Sequence, residues 1–186
     1  MPTYRIATIV GSLRRNSYSG QVTQALIAAA PANLAFRHIE IGDLPLYNQD
    51  FDDAPPSPWI RFRDAIRGSD AVLFVTPEYN RSIPGPLKNA VDIGSRPNGQ
   101  SVFNAKPAAV LSQSPGALGG FGANHHLRQS LAFLNMPTLQ QPEAYLARSA
   151  QLFDEAGDLT DPGAADLLRD FGAALASWID RLAGSN

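Results

Sequence analysis

The stretch Ala71–Asp92 constrains the fold of this chain more than any other part of its sequence. It opens with an uninterrupted apolar run that stops at Thr76-Pro77 and gives way to a short polar loop, before Pro84-Gly85 begins a segment with helical spacing. A strand that is apolar on both faces is typical of a parallel sheet. A loop between the carboxyl end of such a strand and a helix is where open α/β sheets bind ligands. The stretch therefore predicts a parallel α/β sheet with a ligand site at one edge.

Strands and helices alternate along the whole chain. Short apolar or alternating segments predict five strands, over Tyr4–Val10, Leu34–Ile41, Ala71–Thr76, Pro107–Ser112 and Pro137–Gln141. Helical spacing predicts helices over about Ser19–Ala30, with Ser17 as N-cap, and over Pro58–Arg67, Gly85–Ile93, about Ala123–Leu134 and Pro162 to about Leu182. Because parallel strands need crossover helices, the alternation predicts one doubly wound α/β domain over residues 1–186.

Composition and charge exclude several classes of protein. A chain of 186 residues buries enough apolar surface to fold without disulfides or structural metals. The absence of cysteine excludes thiol catalysis and cysteine-ligated zinc. The net charge of −2, without runs of like charge, argues against nucleic-acid binding. The apolar run near the N-terminus is too short for a signal peptide or a membrane span, which predicts a soluble, cytoplasmic protein.

The first loop that follows a predicted strand, Gly11–Ser17 (GSLRRNS), has the chemistry of a phosphate site. Ser12 and Ser17 offer hydroxyls, Arg14 offers a fork of donors, and the following helix offers free backbone amides. The loop matches neither the Walker A motif nor GxGxxG. Hydroxyls in place of glycines favour a terminal phosphate monoester over a linear pyrophosphate. The alternative is an ordinary N-capped turn beside two solvated arginines.

The second loop, Pro77–Gly85 (PEYNRSIPG), has the chemistry of a site for a flat ring. Tyr79 is an aromatic side chain in a loop, Asn80 can both donate and accept, and the prolines stiffen the segment. A rigid backbone with exposed amides suits a planar heterocycle with carbonyl oxygens and ring nitrogens. For Glu78 this favours a role of the backbone amide over one of the carboxylate. The alternative is a proline-rich connector whose tyrosine packs on the core.

The third loop, Ser112–Gly122 (SQSPGALGGFG), carries four glycines, which permit close approach of the backbone to a ring. It has no basic residue before Arg128, so it is not an obvious phosphate cradle. His125-His126 on the next helix point in different directions and have no carboxylate four residues on, which favours an exposed or capping pair over a metal site. No GxSxG motif occurs, so hydrolase chemistry has no support.

Four motifs in this order and spacing, GSLRRNS, PLYNQD, TPEYNRSIPGPLKNAVD and SPGALGG, resemble those of the NADPH-dependent FMN reductase family. This family includes bacterial quinone, chromate and azo-dye reductases. The resemblance spans about residues 4–140. It implies a flavodoxin-like fold, in which five parallel strands take the order 2-1-3-4-5 with helices on both faces.

The resemblance also implies an FMN site built from all three loops. The phosphate would be held by the first loop and the helix after it, at Ser12, Arg14 and Ser17, with Tyr18 and Ser19 in the next ligand-facing positions. The flavin ring would be lined, largely by backbone amides, by Pro77, Glu78, Tyr79 and Asn80. The third loop would close the site with Ser112, Pro115 and Gly116. No metal is implied, and no side chain is needed as a catalyst because the flavin carries the electron chemistry.

The implied activity is that of an FMN-dependent NAD(P)H oxidoreductase with alternate binding at one site. NADPH or NADH gives up its hydride and leaves, and a small-molecule acceptor takes its place: a quinone, free flavin, a nitro or azo compound, or chromate. Members of the family form dimers or dimer pairs, which implies a homodimer or homotetramer in which Tyr47 and Asn48 reach the neighbouring subunit's site. Two alternatives stay open, an electron carrier without NAD(P)H oxidase activity and a non-redox nucleotide-binding module.

Two positions depart from the family pattern. Ser19 stands where asparagine is common, which predicts a weaker contact on the phosphate side. Ile93-Gly94 stands where tryptophan and leucine often follow. We expect Gly94 to end its helix early, and thereby to alter a dimer contact or widen the substrate entrance.

Overall fold

The computed structural model describes residues 2–183, so Met1 and residues 184–186 of the predicted domain lie outside the described residues. Within this part the strands are β1 (Tyr4–Val10), β2 (Leu34–His38), β3 (Ala71–Pro77), β4 (Ala108–Gln113) and β5 (Ala144–Leu146). All neighbours are parallel, and the order across the sheet is β2-β1-β3-β4-β5. The predicted flavodoxin-like sheet and its strand order are confirmed.

Helices cover both faces of this sheet. In the described part of the chain they are α1 (Tyr18–Ala29), α2 (Ser57–Arg67), α3 (Gly85–Gly94), α4 (Phe121–Phe133) and α5 (Pro162–Ala183). Side chains alternate along β3, so Leu73 packs with α1 and α5 on one face, while Phe74 packs with α2, α3 and α4 on the other. This double coverage explains why β3 is buried along its whole length and apolar from Ala71 to Val75. Among residues 2–183, no helix has the length and hydropathy needed to cross a membrane.

Most predicted bounds agree with the structure within two residues. The exception among the first four strands is β2, which ends at His38 instead of Ile41. Beyond it the carboxylate of Glu40 accepts the N–H groups of Ile41 and Gly42. A side chain thus replaces the neighbouring strand as hydrogen-bond acceptor, and the chain leaves the sheet there.

The fifth strand lies later in the chain than predicted. The sequence predicts Pro137–Gln141, but this segment makes a single bridge, between Thr138 and Ala108. The paired strand is β5, where Ala144 lies opposite Leu111. The chain therefore uses six residues to advance three along β4, and the extra residues leave the ladder. The prediction was wrong because both candidate segments are short, and hydrophobic pattern alone does not separate them.

The long loop between β2 and α2 is held against α3 by one side chain. Asn89 donates from Nδ2 to the carbonyl oxygens of Leu44 and Pro45, at 3.2 Å each, and its Oδ1 accepts the N–H of Tyr47 at 2.8 Å. The ring of Tyr47 stacks on the buried Trp59, with 5.5 Å between ring centroids. The loop is therefore part of the packed body as far as Tyr47. That this region reaches a neighbouring subunit stays a prediction.

Gly94 does not end α3 early. The helix includes it, Ser95 is the C-cap, and Gly94 is buried. A side chain at this position would overlap the ring of Phe103, so packing requires a residue without a Cβ. The expected early end of the helix is wrong. That Ile93-Gly94 alters a dimer contact or widens a substrate entrance stays a prediction.

Candidate functional site

The carboxyl ends of β1, β3 and β4 bring the three loops of interest to one edge of the sheet. Gly11, where the first loop begins, lies so close to the second that an added Cβ would be 3.3 Å from Cδ of Pro77. The second loop meets the start of α4 through Glu78. The first loop and α1 join the end of β4 through a hydrogen bond between Ser19 and Gln113. The three loops therefore form one continuous surface.

The first loop leaves donors free for an anion. Ser17 is the N-cap of α1, as predicted: its hydroxyl oxygen accepts the N–H of Gly20 at 3.0 Å, and its own proton is left for another acceptor. The first amides of a helix have no intrahelical acceptor. The guanidinium of Arg14 lies 5.3 Å from the centroid of the Tyr18 ring and makes no ion pair within residues 2–183. With Ser12 beside them, these groups form a set of donors suited to a phosphate.

The predicted phosphate residues and the predicted ring residues occupy different parts of this surface. Ser12, Arg14 and Ser17 line one end of a cavity of about 580 Å³, which continues between α1 and the residues that follow β2. Residues 77–80 and the third loop do not line it. The structure thus brings the two sets to the same edge of the sheet, but it does not enclose them in one cavity.

Ser19 faces the protein interior. It is fully buried, and its hydroxyl oxygen accepts a hydrogen bond from Nε2 of Gln113 at 2.8 Å. The structure therefore does not place the Ser19 side chain in the predicted ligand-facing position. Sequence reasoning missed Gln113 because the two residues are 94 positions apart, and no local pattern identifies the partner of a buried hydroxyl.

A tight hairpin turn over Tyr79–Ser82 shapes the second loop. The N–H of Tyr79 donates to the carbonyl of Ser82 at 2.9 Å, and the N–H of Ser82 donates back at 3.0 Å. The central residues Asn80 and Arg81 have φ angles of 51° and 64°, as in the mirror-image turns that two-residue hairpins favour. Tyr79 is 52% exposed, which contradicts the alternative in which its ring packs on the core.

Glu78 uses its side chain and its backbone differently. Oε2 accepts the N–H of Ala123 in the first turn of α4 at 3.1 Å, and Oε1 lies 3.3 Å from Nη1 of Arg81. The carboxylate thus stabilises the positive end of a helix, a role that the sequence did not predict. Within residues 2–183 the backbone N–H of Glu78, like that of Asn80, has no hydrogen-bond acceptor. Both amides can therefore donate to a ligand.

The third loop has buried residues on either side of an exposed middle. Ser112 is fully buried and donates its hydroxyl proton to the carbonyl of Gly119 at 2.8 Å. Gly119 has a φ angle of 59° and lies against the backbone of Tyr145, which leaves no room for a side chain. Pro115 and Gly116 lie in the exposed middle. Of the three residues predicted from this loop, these two can touch a ligand, while the Ser112 side chain fixes the turn.

The adjacent histidines at the start of α4 contact different elements. Nε2 of His125 lies 2.9 Å from the hydroxyl of Tyr145, and Nδ1 of His126 lies 2.7 Å from Oγ of Ser82. Burial, together with nearby Glu143, raises the pKa of Tyr145 to about 12, so its hydroxyl stays protonated near neutral pH. His126 therefore connects α4 to the second loop, and His125 connects it to β5.

Three known proteins that resemble this chain, and the family whose model matches it, are described as reductases or oxidoreductases. The family model of the NADPH-dependent FMN reductases matches residues 4–151. A quinone reductase of Pseudomonas putida is 59% identical over 177 residues, with 95% of each chain covered. A 2-hydroxy-1,4-benzoquinone reductase of a Burkholderia species is 42% identical over 175 residues, covering 94% of this chain and 96% of the relative. The solved structure of FerB, a flavoenzyme NAD(P)H:(acceptor) oxidoreductase from Paracoccus denitrificans, is similar with 40% identity and a TM-score of 0.90, covering 96% of this chain and 98% of that chain.

Proposed function

This chain belongs to the NADPH-dependent FMN reductase family, and we propose that it passes reducing equivalents from NAD(P)H, through FMN, to a quinone. Membership makes it an FMN-dependent NAD(P)H oxidoreductase. One observation carries the proposal for the site: donors of two kinds, cationic side chains and backbone amides, lie on neighbouring loops at the same edge of the sheet and have no hydrogen-bond partner among residues 2–183. Relatives named as reductases disfavour the carrier and the non-redox module.

The first loop would hold the phosphate of FMN. Ser12 and Ser17 supply hydroxyl donors, and α1 supplies its first amides together with the positive end of its dipole. Arg14 supplies a guanidinium, which binds phosphate through charge-assisted hydrogen bonds. The ring of Tyr18 holds that guanidinium in place by a cation–π contact. The set fits a phosphate because every one of these groups can donate.

The second loop would hold the flavin ring. The amides of Glu78 and Asn80 would donate to the ring's carbonyl oxygens and nitrogens, and Pro115 with Gly116 would close the opposite side. Donors that are fixed before the ligand arrives stabilise negative charge on a ring without reorganising. When bound, FMN supplies the electron chemistry. That is why none of the neighbouring side chains has to act as an acid or a base.

The acceptor and the assembly are inferred from relatives. Quinone is the acceptor named for two of the reported proteins, and free flavin, nitro and azo compounds and chromate stay predictions. We also propose that residues 1–186 act as one domain in a homodimer or homotetramer, in which Tyr47 and Asn48 approach the neighbouring site. The cytoplasm is the proposed compartment.

Purified protein tests the proposed function in two steps. Extracted flavin is first identified as FMN, and oxidation of NADPH and of NADH is then followed with and without a quinone. We expect bound FMN and quinone-dependent oxidation. A protein that binds FMN without oxidising either nicotinamide would be an electron carrier. A protein that binds no flavin, and whose Tm does not respond to added flavin, would refute the site itself.

A further inference from the structure

The cavity at the first loop extends well beyond the proposed phosphate position. It measures about 580 Å³, begins at Ser12, Arg14 and Ser17, and runs along α1 as far as Glu40, just after β2. Cofactor pockets commonly measure roughly 300–1,000 Å³, and a single phosphate group fills only a small part of such a volume. The part between Gly20 and Glu40, here named the β2-side cavity, lies beyond the residues proposed for the FMN phosphate and is not lined by the residues proposed for the flavin ring.

One face of α1 forms a wall of the β2-side cavity. Gly20, Thr23, Gln24 and Ile27 line it, and their spacing of three or four residues places them on the same side of the helix. From Gly20 to Ile27 the helix rises by about 10 Å. This wall is long enough for a nucleoside to lie along it.

The floor of the β2-side cavity holds an unpaired polar atom. Thr8 of β1 lines the cavity and is only 1% exposed. Its Oγ1 has no hydrogen-bond partner among the residues from 2 to 183. A buried hydroxyl without a partner is unfavourable and rare. Its presence in the floor points to a polar ligand above it.

The far end of the β2-side cavity carries a fixed carboxylate. Oε1 of Glu40 accepts the N–H groups of Ile41 at 3.1 Å and Gly42 at 2.7 Å. The other oxygen, Oε2, lies 3.9 Å from Nε2 of His38 and has capacity for further donors. In nucleotide-binding α/β sheets an acidic residue in this part of the fold accepts a ribose hydroxyl, while the pyrophosphate lies at the N-terminus of the first helix. β1, α1 and β2 reproduce that arrangement without its glycine fingerprint.

The first loop has charge for a second phosphate group. Arg15 lines the same cavity beside Arg14. Within the described residues 2–183 neither guanidinium makes an ion pair. Since each guanidinium can bind two phosphate oxygens, the pair suits the two phosphates of a pyrophosphate.

We propose that the β2-side cavity binds the adenosine monophosphate half of FAD, so that the enzyme accepts FAD as well as FMN. The inference rests on the proposed function, because the flavin phosphate must lie at the first loop. In FAD the adenylate is attached to that same phosphate, so one molecule fills both parts of the cavity. The adenylate of NAD(P)H could enter only by bringing its own pyrophosphate to the first loop, where it would displace the phosphate of FMN. The first loop, for which the sequence favours a terminal phosphate monoester, would then also bind a pyrophosphate.

Flavin titrations of the apoprotein test this inference. Fluorescence quenching of FMN and of FAD is measured separately, and we expect the two Kd values to agree within about tenfold. Ile27→Trp fills the cavity far from the phosphate and is expected to weaken FAD by about tenfold or more, with FMN unchanged. Ala28→Trp, at the exposed neighbouring position, is the matched control. Glu40→Gln keeps an oxygen for the two backbone N–H groups and should weaken FAD alone by about tenfold.

The outcomes separate this inference from the proposed function. If FMN binds and FAD does not, or if FAD binds wild type and Ile27→Trp equally while Glu40→Gln has no effect, the inference is overturned and the FMN site stands. If neither flavin binds wild type, the proposed function fails first and the inference fails with it. If Ile27→Trp with FMN bound loses affinity for NADPH and not for FAD, the cavity belongs to the nicotinamide nucleotide and the inference is overturned.

Discussion

The two halves of the site, Gly11–Ser17 and Pro77–Gly85, hold their shapes in different ways. The second loop is bonded to itself through the Tyr79–Ser82 turn and to α4 through Glu78. The first loop has the N-cap of α1, and the guanidinium groups it carries make no ion pairs within residues 2–183. The ring half is therefore formed before a ligand arrives, whereas the phosphate half depends on a ligand to neutralise it.

This difference means that the ring half supplies a fixed shape to the site and the phosphate half supplies its charge. A loop that is already bonded loses little freedom when a ligand binds, so its substitutions should act mainly on the stability of the apoprotein. A loop with unpaired cations gains its partners from the ligand, so its substitutions should act mainly on flavin affinity. Both quantities, apoprotein stability and flavin affinity, can be measured for a substitution in either half.

The largest effect is expected for Arg14→Ala in the phosphate half. A hydrogen bond to a charged group contributes about 1.5–3 kcal/mol, so Kd for FMN should rise roughly 10- to 100-fold, while the Tm of the apoprotein stays unchanged. Fluorescence titration and thermal melts measure the two quantities. Arg37→Ala, which removes an exposed arginine outside the cavity, is the control. A fall in apoprotein stability with normal FMN affinity would mean that Arg14 stabilises the fold and does not bind the ligand.

In the ring half, Glu78→Ala should destabilise the apoprotein by about 1–2 kcal/mol, because the N–H of Ala123 loses its acceptor at the start of α4. Denaturant unfolding measures the free energy. Glu78→Gln keeps an acceptor oxygen and should recover most of the loss. The affinity for FMN should change less than in Arg14→Ala, since the backbone amide of residue 78 is retained. A larger loss of affinity than of stability would mean that the carboxylate itself serves the ligand.

The hydrogen bond between Ser19 and Gln113 joins α1, just after the phosphate half, to the end of β4, and its loss should give an intermediate effect. Ser19→Ala and Gln113→Met each leave a buried group unsatisfied, which should cost about 1–2 kcal/mol in unfolding free energy. The double variant should cost less than the sum, with a coupling of about 0.5–1.5 kcal/mol. Additive effects would show that the two side chains do not stabilise each other.

The smallest effect is a gain. Arg81 holds a φ angle of 64° in the second position of the turn, a conformation that glycine adopts without a Cβ clash. Arg81→Gly should therefore raise the unfolding free energy by about 0.5–1 kcal/mol, despite the loss of its contact with Glu78. Arg81→Lys keeps a Cβ and should show no gain. A destabilised glycine variant would mean that the ion pair with Glu78 outweighs the backbone strain.

Much of the fold could be predicted because its signals are local. Apolar runs identify β1, β3 and β4, and periodicity identifies every α-helix within two residues. Strand order needed the family motifs as well. The position of β5 could not be predicted, since its partner residues on β4 decide between two short segments.

The site could be predicted as a set of loops better than as a set of side chains. Ser17 as N-cap follows from its position before a helical pattern. Three other features depend on partners that only folding brings close. They are the inward orientation of the Ser19 side chain, the contact of the Glu78 carboxylate with the start of α4, and the burial of Ser112. Gly94 shows the same limit, because the ring that excludes a side chain there belongs to Phe103, outside its own helix.

The three hydrogen bonds of Asn89 also bear on how the chain can change length during evolution. They set the backbone register over residues 44–47, and the hydroxyl of Tyr47 extends the anchored part by donating to Asp52 at 3.1 Å. Residues 53–56, just before α2, lie exposed or half-buried. We expect relatives to gain or lose residues at 53–56, where added chain can extend into solvent. One residue inserted within 44–47 would put all three bonds out of register.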